Sequence, residues 1–134
     1  MMIGNRLYKS EKLCSRTAIN EIFSDGGSII AYPLRAAYRF TDSIPSNSQF
    51  LITIPKKKIR TAVGRVLLRR RTREAYRLNR NILLPELNAY NKSLEVAFIY
   101  LGKEIVDYET INAKMVVLLS RLAIIAGETQ KNEK

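Results

Sequence analysis

The chain has no histidine and no tryptophan, one cysteine, four prolines, and twelve acidic residues against twenty-three basic ones. Each shortage closes a route. Without histidine there is no His-based triad, no imidazole metal ligand and no histidine general base, which removes most hydrolytic mechanisms a protein runs unaided. Cys14 has no partner for an internal disulfide, and the opening MMIGNRLYKS lacks the apolar run of a signal peptide, so a reducing, cytoplasmic compartment is expected. The most apolar run, Met115 to Ala126, contains Arg121 and is too short to span a bilayer; it is expected to be a core helix, with no membrane partner. Gly26-Gly27 lacks the Lys-Ser/Thr that would make it a phosphate-binding loop. Glu104, Asp107 and Glu109 lie close together, yet helix capping explains Asp107 and Glu109 more simply than a bound cation does. No catalytic residue and no metal ligand is therefore assigned to the protein.

The excess of base is concentrated in one place. Lys56 to Arg80, KKKIRTAVGRVLLRRRTREAYRLNR, holds eleven of the basic residues and the single acid Glu74, so it carries +10 of the formal +11. A fifth of the chain thus presents an electropositive surface, which implies a polyanionic partner. Arginines outnumber lysines eight to three there, favouring the planar fork that grips phosphate with two hydrogen bonds.

The spacing predicts a helix from about Thr61 to Asn79, with only Gly64 against it. At 100° per residue Arg65, Arg69, Arg73 and Arg77, with Arg70, Arg80 and Tyr76, share an arc of about 140°. Gly64, Leu67, Leu68, Ala75 and Leu78 share the opposite arc, which is expected to face a core. Arg71 falls among them, at an edge, with its stem buried and its head in water. Three successive like-charge pairs at i, i+4 each cost roughly 0.2 to 0.5 kcal/mol. A solvated face gains nothing from that arrangement, whereas a face that meets a polyanion does.

With 134 residues, 46% of them hydrophobic, the chain is read as one domain over residues 1–134, with 1–6 and 127–134 loose. A short helix is expected from Ser15 to Phe23, ended by Asp25-Gly26-Gly27. Leu34 to Thr41 alternates as a half-buried strand, with Arg35, Ala37 and Arg39 on one side. Asp42 to Ser48 reads as a turn, and Gln49 to Ile54 as a second strand in an antiparallel hairpin with the first. Pro85 should break the helix that follows Arg80. Leu94 to Leu101 is a third strand, parallel to the second, and Asp107 caps a last helix with Ile111, Met115, Leu118, Leu119, Leu122 and Ile125 on its apolar face. The α-β-β-α-β-α order defines an α+β fold, a single α/β sandwich. Phe40, Phe50 and Phe98 read as core; Phe23 and Tyr38 suit either a core or a surface on which bases stack.

The basic block, directly after Thr53-Ile54-Pro55, resembles the motif of the protein subunit of bacterial ribonuclease P. Ala62, Val63, Arg65, Leu68, Arg69, Arg70, Arg73, Glu74, Tyr76 and Arg77 fit that pattern, while Val66 and Leu67 stand where the family has Asn and Arg. Leu13, Ile19, Phe23 and Gly26 match its first helix, LEVAFIYL its next strand, and Tyr108 to Leu122 its later helix. The resemblance covers about Leu7 to Ala126. It implies that the arginine helix sits in a left-handed βαβ crossover, against the usual right-handed preference. It also implies an RNA-binding subunit of an endoribonuclease whose catalysis is carried by the RNA, with Mg²⁺ bound mainly by that RNA and the protein alone inactive. The implied partners are the catalytic RNA and precursor tRNA, with no protein partner. Lys56, Lys57, Lys58, Arg60, Arg65, Arg69, Arg70, Arg73 and Arg77 would bind RNA, and Ile19, Phe23, Leu34, Thr53 and Pro55 would line the cleft for the 5′ leader. The alternative is a structural ribosomal or nucleoid-type binding module without a catalytic role. An amphipathic helix lying on a membrane would need its apolar face free, and here the core needs it.

Overall fold

The computed structural model describes residues 26–42 and 48–132. The expected Ser15–Phe23 helix and most of the expected Asp42–Ser48 turn lie outside them. Four strands form one sheet: β1 (Gly27–Ala31), β2 (Leu34–Asp42), β3 (Ser48–Thr53) and β4 (Lys92–Tyr100). Helix α1 (Ala62–Asn79) and the short α2 (Leu84–Ala89) connect β3 to β4, and α3 (Tyr108–Asn132) follows.

The sheet order is β1-β2-β4-β3, antiparallel between β1 and β2 and between β2 and β4, and parallel between β3 and β4. The expected βαβ unit therefore forms, but the expected hairpin between the Leu34 and Gln49 strands does not, because β4 lies between them. The reason is composition. LEVAFIYL is apolar at nearly every position, and the central place pairs both its edges and buries most of its side chains. Strand β1 was not expected, because Gly26-Gly27 reads as a helix stop and Tyr32-Pro33 closes the segment after five residues. A Cβ at Gly27 would lie 2.6 Å from the Tyr38 hydroxyl, so glycine is what lets β1 pass over that ring.

Alternation sorts the sheet into two faces. On one, Leu34, Ala36, Val96, Phe98, Tyr100 and Phe50 join Leu68, Ala75, Tyr76 and the α3 stripe Ile111, Met115, Leu118, Leu119, Leu122 and Ala126 in the main core. Ala126 takes the place expected for Ile125, which is half-buried. Over Tyr108–Gly127, α3 is long and apolar enough to cross a membrane, but the six residues of its stripe are fully buried against the fold, as suits a core helix. Its start is capped as expected: Thr110 N–H donates to Asp107 Oδ1 at 2.9 Å. On the other face Ala37 and Ala97 are buried beside Leu51 and Ile99. Nearby Arg39 Nε donates to Glu95 Oε1 at 2.9 Å.

Pro85 falls in the first turn of α2, where a missing N–H costs nothing, and the break comes ahead of it in a 3₁₀ turn, Arg80–Ile82.

Candidate nucleic-acid interface

Helix α1 starts where its sequence says it should. Thr61 is extended, and its hydroxyl accepts from Gly64 N–H at 3.1 Å, a side-chain N-cap. The buried residues are Gly64, Leu68, Thr72, Ala75 and Tyr76. Their arc is turned by roughly 70° from the expected apolar one, at 100° per residue.

Two expectations are corrected by that turn. Tyr76 does not stand among the exposed arginines: it is fully buried, stacked on Phe50 at 4.5 Å between centroids and 5.7 Å from Phe98. Its hydroxyl lies 2.6 Å from that of Ser48, so the ring has apolar walls and its polar end a partner. Leu78, expected in the core, is 43% exposed. Thr72 is tolerated inside because its hydroxyl donates to Leu68 O at 2.8 Å.

The cations divide into groups. Arg69, Arg70 and Arg73 are exposed, and among the described residues none of the three is held in an ion pair. Arg77 pairs with Glu74, whose carboxyl is held below its ordinary range chiefly by that hydrogen bond. Arg65 is half-buried and turns back, donating from one nitrogen to Ile59 O at 3.0 Å and Arg60 O at 2.9 Å. Arg71 was expected to leave its head in water; instead it donates to Val106 O at 2.6 Å and ties the β4–α3 loop to the helix. Arg80, placed with the exposed arginines by spacing, is 4% exposed.

The turn before the helix carries Lys56, Lys57 and Arg60 exposed and Lys58 half-buried. Lys58 N–H and Ile59 N–H both donate to Pro55 O, at 3.0 and 3.1 Å, and the buried Ile59 side chain pins the turn's middle. Lys58 also borders a cavity of about 470 Å³ with Tyr32, Tyr100 and Lys103. The Tyr100 hydroxyl donates to Glu104 O, and burial raises that phenol above its ordinary pKa.

The residues expected to line a leader cleft are only partly brought together. Ile19 and Phe23 lie outside the described residues. Thr53 is exposed on the sheet face away from the main core, and Pro55 is half-buried at the start of the turn. Leu34 is not available to a cleft: it is 1% exposed, because its register with Tyr100 points it into the core. At that end of the sheet Arg35 and Thr53 flank Ile99 on the open face. The alternation in LRAAYRFT already put Arg35 and Arg39 on that face.

A four-stranded sheet, a parallel βαβ crossover and a helix with an exposed arginine face define an α+β protein with a strongly basic surface. The family model of ribonuclease P matches residues 7–123 of the chain. The ribonuclease P protein component of Porphyromonas gingivalis (strain ATCC 33277) is 36% identical over 129 residues, covering 95% of this chain and 94% of that protein. The RNase P protein from Thermotoga maritima superposes with a TM-score of 0.66 at 25% identity, covering 83% of this chain and 96% of that one. The Staphylococcus aureus RNase P protein shares the fold, with a TM-score of 0.64 at 16% identity and coverage of 86% and 96%. The chain belongs to the ribonuclease P protein family. It is thereby a component of a tRNA-processing ribonucleoprotein, partnered with the ribonuclease P RNA in a holoenzyme with endoribonuclease activity.

Proposed function

We propose that the chain binds the catalytic RNA of ribonuclease P through the open face of α1 and the preceding basic turn. Arg69, Arg70 and Arg73 meet phosphates directly, Lys56, Lys57 and Arg60 extend the same surface, and Arg77 joins by exchanging its Glu74 partner. The observation that carries this reading is the exposure of three arginines within five residues of one helix, none held in an ion pair among the described residues. Forked guanidiniums at that spacing suit successive phosphates.

The second part of the proposal concerns substrate. The 5′ leader of precursor tRNA runs over the open sheet face beside Thr53 and Pro55, with Ile19 and Phe23 as further contacts, and the holoenzyme releases it by endonucleolytic cleavage in the cytoplasm. Among the described residues no group of three potential ligands converges, and the Asp107 carboxylate accepts from Thr110 N–H. The proposal assigns the ion to the RNA, and with it the chemistry, leaving the protein to bind and orient.

Cleavage of precursor tRNA by a ribonuclease P RNA, with and without this protein, tests the reading. The protein should lower the Mg²⁺ concentration needed for cleavage and should cleave nothing by itself. An unchanged Mg²⁺ requirement would leave a structural RNA-binding module, and robust cleavage by RNA-free protein would overturn the assignment of chemistry to the RNA.

A further inference from the structure

The guanidinium of Arg65 is turned away from the open face. It follows the helical spacing of Arg69, Arg73 and Arg77, yet its NH1 donates to the carbonyls of Ile59 and Arg60 at 3.0 and 2.9 Å. Both hydrogens of that nitrogen are thereby used inside the protein. The wheel explains the direction: Arg65 lies near the edge of the buried arc, between Thr72 and Tyr76, so its side chain leaves the helix along the boundary and reaches back over the turn.

The turn needs such a tether. Pro55 O accepts from Lys58 and Ile59, which closes the first part, and Ile59 is buried. Beyond Ile59 the chain carries Arg60 outward, with Lys56 and Lys57 exposed nearby. Three exposed cations in five residues repel one another, and a fourth cation beneath them would add to this unless carbonyl dipoles were aimed at it. Two are. The interaction fixes the peptide units on either side of Arg60 and so sets where the turn's cations point. Ordering them in the free protein removes a cost that would otherwise fall on binding.

We infer that Arg65 is a positioning residue for the basic turn: it orients Lys56, Lys57 and Arg60 toward the RNA and does not itself grip a phosphate. This rests on the RNA-binding reading above for its consequence, but the tether is a property of the free protein and is tested separately.

The first measurement is amide hydrogen exchange of the free full-length chain. Arg65→Ala should speed exchange at Lys58 and Ile59, the two amides that report the turn, by at least about tenfold, with the amides of Leu118 and Leu119 in the core unchanged. Unchanged exchange at Lys58 and Ile59 overturns the tether, whatever RNA does. The second is affinity for ribonuclease P RNA in a double-mutant cycle. Placed on wild type, Arg65→Ala should weaken binding by about 5- to 10-fold. Placed on a variant already carrying Lys56→Ala, Lys57→Ala and Arg60→Ala, it should weaken binding by less than about twofold, because the groups it positions are gone. Losses that multiply show Arg65 to contact RNA itself and overturn the proposal. An affinity unchanged by Arg65→Ala on wild type, with a lowered melting temperature, reduces the residue to a structural role and overturns it too.

Discussion

Helices α1 and α3 pack against each other and on the same face of the sheet, and they use their sequences in opposite ways. In α3 a continuous aliphatic stripe from Ile111 to Ala126 is fully buried, and even its outer side carries Val117 and Ile124. In α1 the buried arc is mixed: a glycine, a threonine and a tyrosine share it with Leu68 and Ala75. The two meet through polar side chains as well, since Asn79 Nδ2 donates to Asn112 Oδ1 at 2.6 Å. A stripe like that of α3 holds a helix to a core without help. The inner face of α1 is less apolar and its outer face repels itself, so α1 depends on specific partners: Ser48 and Phe50 for Tyr76, the Thr61 cap at its start, Glu74 for Arg77, and the turn carbonyls for Arg65. Of the three like-charge pairs along the face, those involving Arg65 and Arg77 are relieved locally. The pair left open, Arg69 with Arg73, lies at the centre of the proposed RNA contact.

If Tyr76 is what anchors α1, removing it should be as damaging as removing a large aliphatic side chain from α3. Tyr76→Ala should lower stability by about 3 to 5 kcal/mol, whereas Tyr76→Phe, which removes only the hydroxyl contact with Ser48, should cost about 1 kcal/mol. Denaturant unfolding followed by circular dichroism measures both. Equal, small losses for the two variants would mean that α1 does not depend on that ring.

A smaller effect separates the helix starts. Thr61→Ala removes the α1 cap and should cost about 1 kcal/mol, while Thr61→Ser, which keeps the accepting oxygen, should cost a few tenths. Thermal melts of the two variants compare them; a full loss in Thr61→Ser would assign the effect to packing of the methyl group.

The smallest expected effect is electrostatic and depends on pH. Glu74, by its hydrogen bond from Arg77, and Asp107, by its bonds from Thr110, both hold their carboxyls below the ordinary range in the folded chain. A depressed folded pKa contributes stability above the unfolded value, and that stability is lost as pH falls through the folded one. The acid limb below about pH 4 should therefore be shallower in Glu74→Gln and in Asp107→Asn. With no histidine in the chain, stability should be nearly flat between about pH 5 and 8 for all three proteins. An acid limb identical in wild type and both variants would show that these pairs do not outlast solvent screening.

The sequence was most legible where one signal dominated. Charge concentration picked out the exposed basic face, the spacing and Thr61 set the bounds of α1, and Asp107 marked the start of α3. Periodicity was less reliable for orientation. Leu67 and Leu78 seemed to define the inner face of α1, but a buried threonine and tyrosine are stable once their hydroxyls are bonded, and helical spacing does not show those bonds. Adjacency in sequence favours a hairpin between β2 and β3, whereas the largely apolar β4 takes the centre and pairs with both. Family resemblance places Leu34 in a cleft, whereas the alternation of its strand places it with the apolar side, and the structure buries it there.

In the proposed complex the open arginine face of α1, and not its buried residues or the tethered Arg65, meets the RNA. The direct test is the dependence of ribonuclease P RNA affinity on salt for Arg69→Ala and Arg73→Ala. Each should reduce the magnitude of the log–log slope by roughly 0.7 to 0.9, one phosphate contact's worth, with the melting temperature unchanged or slightly raised as repulsion along the helix is relieved. Slopes equal to that of the wild-type protein would contradict the account and leave these arginines as solvated charge.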